Sequence, residues 1–467
     1  MEESKNKKEF KFPHTFTILF ILIVVLAICT YVIPAGNFER VTDAATGAVS
    51  IDPNSFKYVE QTPVGFFDIF LSIQKGMVEG ASVIFLIFFA YFWVYTINQT
   101  GSLHGAINSL LRMLNGKESL VIPIFMLIFA LAGSTYGEWD TIYGLIPIFV
   151  GLSIALGYDA VVGLAMTGMA VAVGFASATT NPFTIGIAQS IAGLPIFSGL
   201  SLRWIVFVVM VGTSIWWTMR YAKKIKRDPM KSYMKGVDMG AMEINRDDID
   251  GVEFTLKRKL TILSLFATIL VIVYTSLKWG WYIDEMSATF LLSGLLVSAV
   301  WSIKPNNIIN NLLKSCGEVI IGAFVVGVSR SILVILREGN ILDTVIYTLY
   351  LPLSNLPSWL AAEGMLVFQT IVNFFIPSGS GQASAVMPIM TPLSDMVGVN
   401  RQIAVLAYQF GDGYSNLLWP TGIAVLISVA KVPLDRWYKF FLPLYGIMFV
   451  LMMIFIYVAT IINYGPF

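Results

Sequence analysis

Long apolar runs separated by short polar stretches dominate the chain, and several approach or exceed the roughly 20 residues that a bilayer core requires. Runs over about 14–32, 77–97, 204–221, 260–277, 286–303, 316–336 and 437–462 read as membrane-spanning helices. Two further runs are long enough to span but are broken in the middle. Within 403–430 lies Phe410-Gly411-Asp412-Gly413-Tyr414-Ser415-Asn416, followed by Trp419-Pro420-Thr421-Gly422. Within 160–192 lies Phe175-Ala176-Ser177-Ala178-Thr179-Thr180-Asn181, which matches the first pattern 235 residues earlier. Glycine and proline interrupt the helical hydrogen-bond ladder, and backbone freed inside hydrocarbon must be buried in protein or line a watery cavity. Both runs therefore predict broken transmembrane helices.

Two other apolar stretches, 120–156 and 365–396, are too long for one span and too short for two. Each has a polar centre, Gly133 to Thr141 in the first and Pro377 to Ser384 in the second. The arms of the first, at roughly 13 to 15 residues, reach about 20 to 22 Å, short of a core of about 30 Å. Re-entrant hairpins fit these lengths. Amphipathic pieces at 64–73 and 103–114 predict helices lying along the outer and inner interfaces.

Charge sets the orientation. Lys5, Lys7, Lys8 and Lys11 precede the first span, and ten Lys/Arg lie in the loop 222–259. Lys304, Lys314, Lys431, Arg436 and Lys439 mark later inner ends. By the positive-inside rule the N-terminus is cytoplasmic and Phe467 is outside. The fold class expected is an all-α polytopic membrane protein with about nine transmembrane helices plus two opposed re-entrant hairpins. Its organisation is that of inverted-topology repeats with broken helices. Residues 1–222 form the first repeat: two spans, the hairpin 120–156 entering from the cytoplasm, the broken helix 160–192 and one span. Residues 223–285 are the basic loop and a linker span. Residues 286–467 form the inverted second repeat: two spans, the hairpin 365–396 entering from outside, the broken helix 403–430 and the last span. Ser134-x-x-Gly137-Glu138 echoes Ser378-x-x-Gly381-Gln382 at the tips.

Composition agrees: the 467 residues are 56% hydrophobic and 13% charged, with a mean hydropathy of +0.75. A soluble globule carries about twice that charged fraction. Cys29 and Cys316 fall in predicted spans, so no disulfide framework is expected. The first apolar run is too long for a cleavable signal segment. The charge is segregated along the chain, and nothing points to a nucleic-acid partner.

The candidate site combines tips and breaks. One cluster holds Ser134, Thr135, Glu138, Asp140 and Thr141 with Ser177, Thr179, Thr180 and Asn181. The other holds Ser378, Ser380, Gln382 and Ser384 with Asp412, Ser415, Asn416 and Thr421. Hydroxyls, amide oxygens and freed carbonyls are hard ligands that suit Na⁺ or a polar solute, so a sodium site is expected near Ser134, Asn181, Ser378 and Asn416. Half-helix N-termini after Asn181 and Asn416 would present N–H groups and positive dipole ends to a carboxylate. Ionised carboxylates within a span are costly unless paired, hydrated or facing a cation. Glu138, Asp140 and Asp412 are thus candidates for substrate or ion contact. Arg330, inside the span 316–336, is a candidate counter-ion or substrate clamp. Glu79 and Glu318 are read as snorkelling side chains. Asp159 and Asp395 are read as helix caps.

Phe12-Pro13-His14-Thr15-Phe16, Tyr31-Val32-Ile33-Pro34-Ala35-Gly36, Gly157-Tyr158-Asp159, Asn181-Pro182-Phe183-Thr184, Pro377-Ser378-Gly379-Ser380-Gly381-Gln382 and Phe410-Gly411-Asp412-Gly413 resemble the YfcC family over nearly the whole chain. That family belongs with the DcuC-type anaerobic C4-dicarboxylate carriers and the arginine/ornithine antiporters of the ion transporter superfamily. The resemblance implies a secondary carrier of the bacterial cytoplasmic (inner) membrane with inverted repeats. It also implies a homodimer and a site moved between leaflets by an elevator-like shift.

The function expected is secondary active transport, by symport or antiport, of a small carboxylate-bearing solute. An amino acid, basic in one variant of this reading, is preferred, with Na⁺ or H⁺ as coupling ion and no other cofactor. A dicarboxylate would call for Lys or Arg, and Arg330 alone serves. The alternative is a Na⁺- or H⁺-coupled C4-dicarboxylate carrier. A channel is the less favoured reading, and the chain carries no nucleophile–base spacing that defines an enzyme.

Overall fold

The computed structural model describes residues 13–42, 49–51, 55–114, 117–242 and 252–465. Lys5, Lys7, Lys8, Lys11, Phe12, residues 243–251 of the basic loop and Phe467 lie outside the described residues. Among the described residues, eight helices are long and apolar enough to cross a membrane. Seven coincide with expected spans: α1 (Thr15–Val32), α3 (Ala81–Gln99), α9 (Leu200–Arg227), α10 (Leu256–Trp279), α11 (Ile283–Val300), α12 (Pro305–Glu338) and α18 (Leu434–Ile461). The eighth is the first arm of the expected hairpin 120–156, where a 3₁₀ turn at Glu118–Leu120 extends α5 (Val121–Thr135). Its second arm is α6 (Ile142–Ala155).

The two broken spans are each made of two short helices. The first is α7 (Ala160–Ala176) and α8 (182–191). The second is α16 (Arg401–Ser415) and α17 (Pro420–Val429). Between 165 and 169, α7 widens into a π turn. The stretch 365–396 is also two helices, α14 (Ser358–Phe375) and α15 (Gly379–Met396), and α14 begins seven residues before the expected arm. A short helix, α13 (Leu342–Tyr350), precedes them.

The amphipathic pieces became α2 (Phe66–Glu79) and α4 (Ser102–Leu114). The first runs six residues beyond its expected end because glycines let it lie directly on α12. A Cβ at Gly76 would stand 2.4 Å from the Gly327 carbonyl oxygen. The strands described lie in the outer segment. There β1 (Gly36–Asn37) pairs antiparallel with β4 (Lys57–Tyr58), and β2 (Arg40–Thr42) with β3 (Val49–Ile51). A polar stretch that reverses direction satisfies its backbone groups across these short ladders. Asp343 on α13 fastens it, accepting from the Phe38 N–H at 3.0 Å and from Arg40 Nη2 at 2.9 Å.

Packing divides the helices into two groups. In one, α1, α2 and α3 gather around α12, α11 packs on α3, and α10 lies alongside α4 and α11. In the other, α5 packs on α7 and α9, while α14, α15 and α18 surround α16. The inner faces of α7 and α16 touch: the Gln409 side chain donates to the Phe175 carbonyl at 2.7 Å. The groups meet mainly where α6 lies on α3 and where α17 lies on α12.

Candidate functional site

A cavity of about 230 Å³ opens between the two helix groups. The turn 137–140 joining α5 to α6, the turn 376–380 joining α14 to α15, and Asn416, Thr421 and Gly422 at the second break line one side. Helices α10, α11 and α12 line the other, with Ser276, Ser329 and Arg330 among their contributions. The charged groups on its wall are Glu138, Asp140 and Arg330. Arg330 lies within electrostatic reach of Asp140, yet among the described residues no hydrogen bond or ion pair holds its guanidinium. Aromatic rings fill much of the remaining wall: Tyr136, Trp139, Tyr143, Phe175, Phe183 and Tyr282. Trp139 meets Phe175 edge-on at 5.1 Å, and its indole N–H donates to the Tyr143 hydroxyl at 3.0 Å.

Of the expected site residues, the cavity gathers Glu138, Asp140, Arg330, Ser378, Ser380, Asn416 and Thr421. In the remainder of the first cluster, Ser134, Thr135, Thr179, Thr180 and Asn181 hold the end of α5 onto the first break, while the Ser177 hydroxyl pairs with that of Tyr414 on α16. Ser134 Oγ accepts from the Thr179 N–H at 3.1 Å and lies 3.1 Å from the Ser177 carbonyl oxygen. Thr180 Oγ1 donates to the Thr135 carbonyl at 3.0 Å, and Asn181 Nδ2 to the Gly133 carbonyl at 3.3 Å. Asn181 also caps α8, its Oδ1 accepting from the Phe183 N–H at 2.9 Å. Gly137 is required here. Its φ is +78°, and a Cβ would stand 2.5 Å from Asn181 Oδ1. The Glu138 carboxylate accepts from the Thr141 hydroxyl.

The second cluster differs from expectation in three respects. Asn416 does not open a half-helix. It ends α16, its Nδ2 donating to the Asp412 carbonyl at 2.9 Å, and the half-helix starts at Pro420, whose fixed φ suits a first turn. Ser134 and Ser378, paired by the echo, occupy different places: Ser134 is in the last turn of α5, whereas Ser378 caps the start of α15. In its contacts with the break, the counterpart of Ser134 is Asn373, which bonds Asp412 at 2.9 Å and Ser415 at 2.8 Å.

Asp412 is absent from the cavity wall. It is fully buried behind Gly379. Gln382 is likewise internal, donating to Gln369 Oε1 at 2.8 Å. Asn373 and Gln369 carried a signal that sequence reasoning passed over. They are polar residues four apart, hence on one face of an otherwise apolar helix.

Other expectations resolve more simply. Glu79 pairs with Arg337 at 2.5 Å and Glu318 accepts from the Tyr91 hydroxyl at 2.8 Å, so both have partners. Asp159 caps α7 at the Val162 N–H, 3.1 Å away. Asp395 instead pairs with Arg401 at 2.6 Å, because it falls in the last turn of α15, where the free backbone groups are carbonyls.

Apolar spanning helices, interrupted in pairs around a cavity that carries charge, make this a multi-pass membrane transporter for a small-molecule solute. The chain belongs to the DcuC family, the C4-dicarboxylate anaerobic carriers, whose family model matches residues 12–461. It is 30% identical over 501 aligned positions to the putative basic amino acid antiporter YfcC of Escherichia coli (strain K12), covering 99% of each chain. It is also 30% identical over 492 positions to an uncharacterized protein of Haemophilus influenzae, covering 96% of each. Among solved structures, the YdaH transporter of Alcanivorax borkumensis superposes over 97% of this chain and 99% of its own, at a TM-score of 0.43 and 13% identity. MtrF of Neisseria gonorrhoeae covers 97% and 96%, at a TM-score of 0.43 and 16% identity.

Proposed function

We propose that this protein is a secondary active transporter of a basic amino acid, working by exchange or symport in the bacterial cytoplasmic membrane with its N-terminus inside. The observation that carries the reading is the charge pattern of the cavity, one guanidinium opposite two carboxylates within a wall of aromatic rings. A basic amino acid matches it group for group. Its carboxylate meets Arg330 in a charge-assisted, bidentate pair. Its cationic groups meet Glu138 and Asp140 and lie against the Trp139 and Tyr282 faces, a contact of about 0.5–2 kcal/mol for a cation on an aromatic ring. A C4-dicarboxylate brings two negative charges to a wall with one cation and two anions, and gains less. The relative in Escherichia coli that bears the name of a basic amino acid antiporter supports the same choice.

The cavity lies where the two helix groups meet, which supports movement of the group carrying α5–α8 and α14–α17 past the group around α12. That is elevator-type alternating access, and a homodimer would anchor the stationary group. Counterflow into proteoliposomes tests the reading with labelled arginine, ornithine and succinate. Arginine or ornithine is expected to exchange and to accelerate when the same solute is present on the far side. Exchange of succinate without either amino acid would establish the dicarboxylate reading in its place, and flux indifferent to solute on the far side would establish a channel.

A further inference from the structure

Asp412 is the one carboxylate of the candidate site that the cavity does not use, and its surroundings are unlike those of the others. The side chain is fully buried on α16. Its Oδ1 lies 2.9 Å from Asn373 Nδ2, and its Oδ2 has no hydrogen-bond partner among the described residues. The groups around it are neutral: Asn373 from α14 bonds it and Gly379 from α15 faces its Oδ2, with Phe175 of α7 and Thr184 of α8 beside Gly379 and Gln369 of α14 against the neighbouring Gly411. The titratable side chain within electrostatic reach is Tyr408 on α16 itself. Among the described residues, no lysine, arginine, histidine or second carboxylate from any packed element acts on Asp412. An unpaired charge buried in this way costs several kcal/mol, so the group must be neutralised.

A metal ion fits poorly. A Cβ built on Gly379 would stand 3.3 Å from Oδ2, 2.6 Å from the Thr184 methyl carbon and 3.2 Å from the Phe175 ring edge, so a methyl group and a ring edge crowd the Gly379 side of the carboxylate. Hard cations require several oxygens at coordinating distance, and on this side the neighbours are hydrocarbon. A proton needs none of them.

The hydrogen bonds accommodate that proton. Ser415 Oγ lies 2.8 Å from Asn373 Oδ1 and 2.6 Å from the Gly411 carbonyl oxygen, but one hydroxyl has one proton. With Asp412 ionised, Asn373 donates to the carboxylate through its NH₂ group and Ser415 donates to the Asn373 oxygen. With Asp412 protonated, the chain reverses. The acid O–H donates to an Asn373 oxygen turned toward it, the amide NH₂ donates to Ser415 Oγ, and Ser415 donates to the Gly411 carbonyl. Asn373, Ser415 and one carboxyl oxygen keep their hydrogen bonds in both protonation states by a half-turn of one amide, and the unpartnered Oδ2 is costly only while it carries charge. The Gly379 backbone separates Oδ2 from the cavity, and Tyr408 fixes it there by donating to the Gly379 carbonyl at 2.7 Å.

We propose that Asp412 is the proton-binding site of this carrier, behind the cavity wall at Gly379 and separate from the solute. A proton taken from cavity water forms the O–H bond on Asp412 and is returned to water when the acid ionises. This rests on the reading of the chain as a secondary carrier and is independent of which solute is carried.

The test is infrared difference spectroscopy of the purified full chain across a pH titration. The wild type is expected to show the carbonyl stretch of a protonated carboxylic acid, absent in Asp412→Asn, displaced in Asp412→Glu and kept in Glu138→Gln. A band that survives in Asp412→Asn would overturn the proposal, as would its removal from the wild type by Na⁺ at constant pH. In proteoliposomes, accumulation of labelled arginine driven by a pH gradient is expected in the wild type and lost in Asp412→Asn. Failure of the wild type to carry arginine would sink the substrate reading while leaving the spectroscopic result intact.

Discussion

Replacing Arg330 by Gln removes the one cation from the cavity wall while keeping a planar polar group on a shorter stem. Arg330 has no hydrogen bond or ion pair among the described residues and shares the cavity with Glu138 and Asp140, so little internal structure depends on it. A hydrogen bond to a charged group contributes about 1.5–3 kcal/mol. Because 1.4 kcal/mol is tenfold in binding, loss of the contact to a substrate carboxylate weakens affinity about 10- to 150-fold. The assay is counterflow inhibition in proteoliposomes, run as a cycle with arginine and agmatine, which keeps the guanidinium and lacks the carboxylate. Arginine should outcompete agmatine by that factor in the wild type and by little in Arg330→Gln. Equal preference for arginine in both proteins would refute the assignment of Arg330 to the substrate carboxylate. Were Arg330 instead a counter-ion for Asp140, both ligands would change together.

Three further outcomes test the frame that holds the cavity. A methyl group at Gly174 would stand 1.9 Å from the Ala130 carbonyl oxygen, about 1.5 Å inside ordinary contact. Gly174→Ala should therefore cost about 1–3 kcal/mol as overpacking, read as a lower unfolding midpoint in detergent; an unchanged midpoint would contradict the close approach of α5 and α7. Ser134→Ala removes the hydroxyl between the Thr179 N–H and the Ser177 carbonyl, both buried, with an expected loss of about 1–3 kcal/mol and of transport. Ser378→Ala, which removes only a cap bond at 3.3 Å, should lose nearer 0.5–1 kcal/mol, and the reverse order would count against the contacts described. Asp343→Ala deprives the Phe38 N–H and Arg40 of their acceptor, so limited proteolysis within 36–58 should quicken at unchanged global stability.

The sequence by itself determined where the chain can cross a bilayer and where it cannot stay helical. Apolar length is a local property, and so is the effect of glycine, proline and asparagine on a helical ladder. For that reason the runs 14–32, 286–303 and 437–462 became single helices, and the two broken runs part at 177–181 and 416–419. Phe410 to Ser415, expected within the second break, stayed helical because its backbone ladder continues to Ser415. The amphipathic period at 103–114 became α4 for the same reason. The partners of each polar group were decided only in three dimensions. Glu138, Asp140 and Asp412 look alike along the chain, but two face the cavity with Arg330 while the third lies behind Gly379 against Asn373. Asn373 is 39 residues from Asp412, and Arg330 is 190 from Asp140. No local pattern encodes contacts of that range, because they depend on how α14 crosses α16 and on which face of α12 meets the turn after α5.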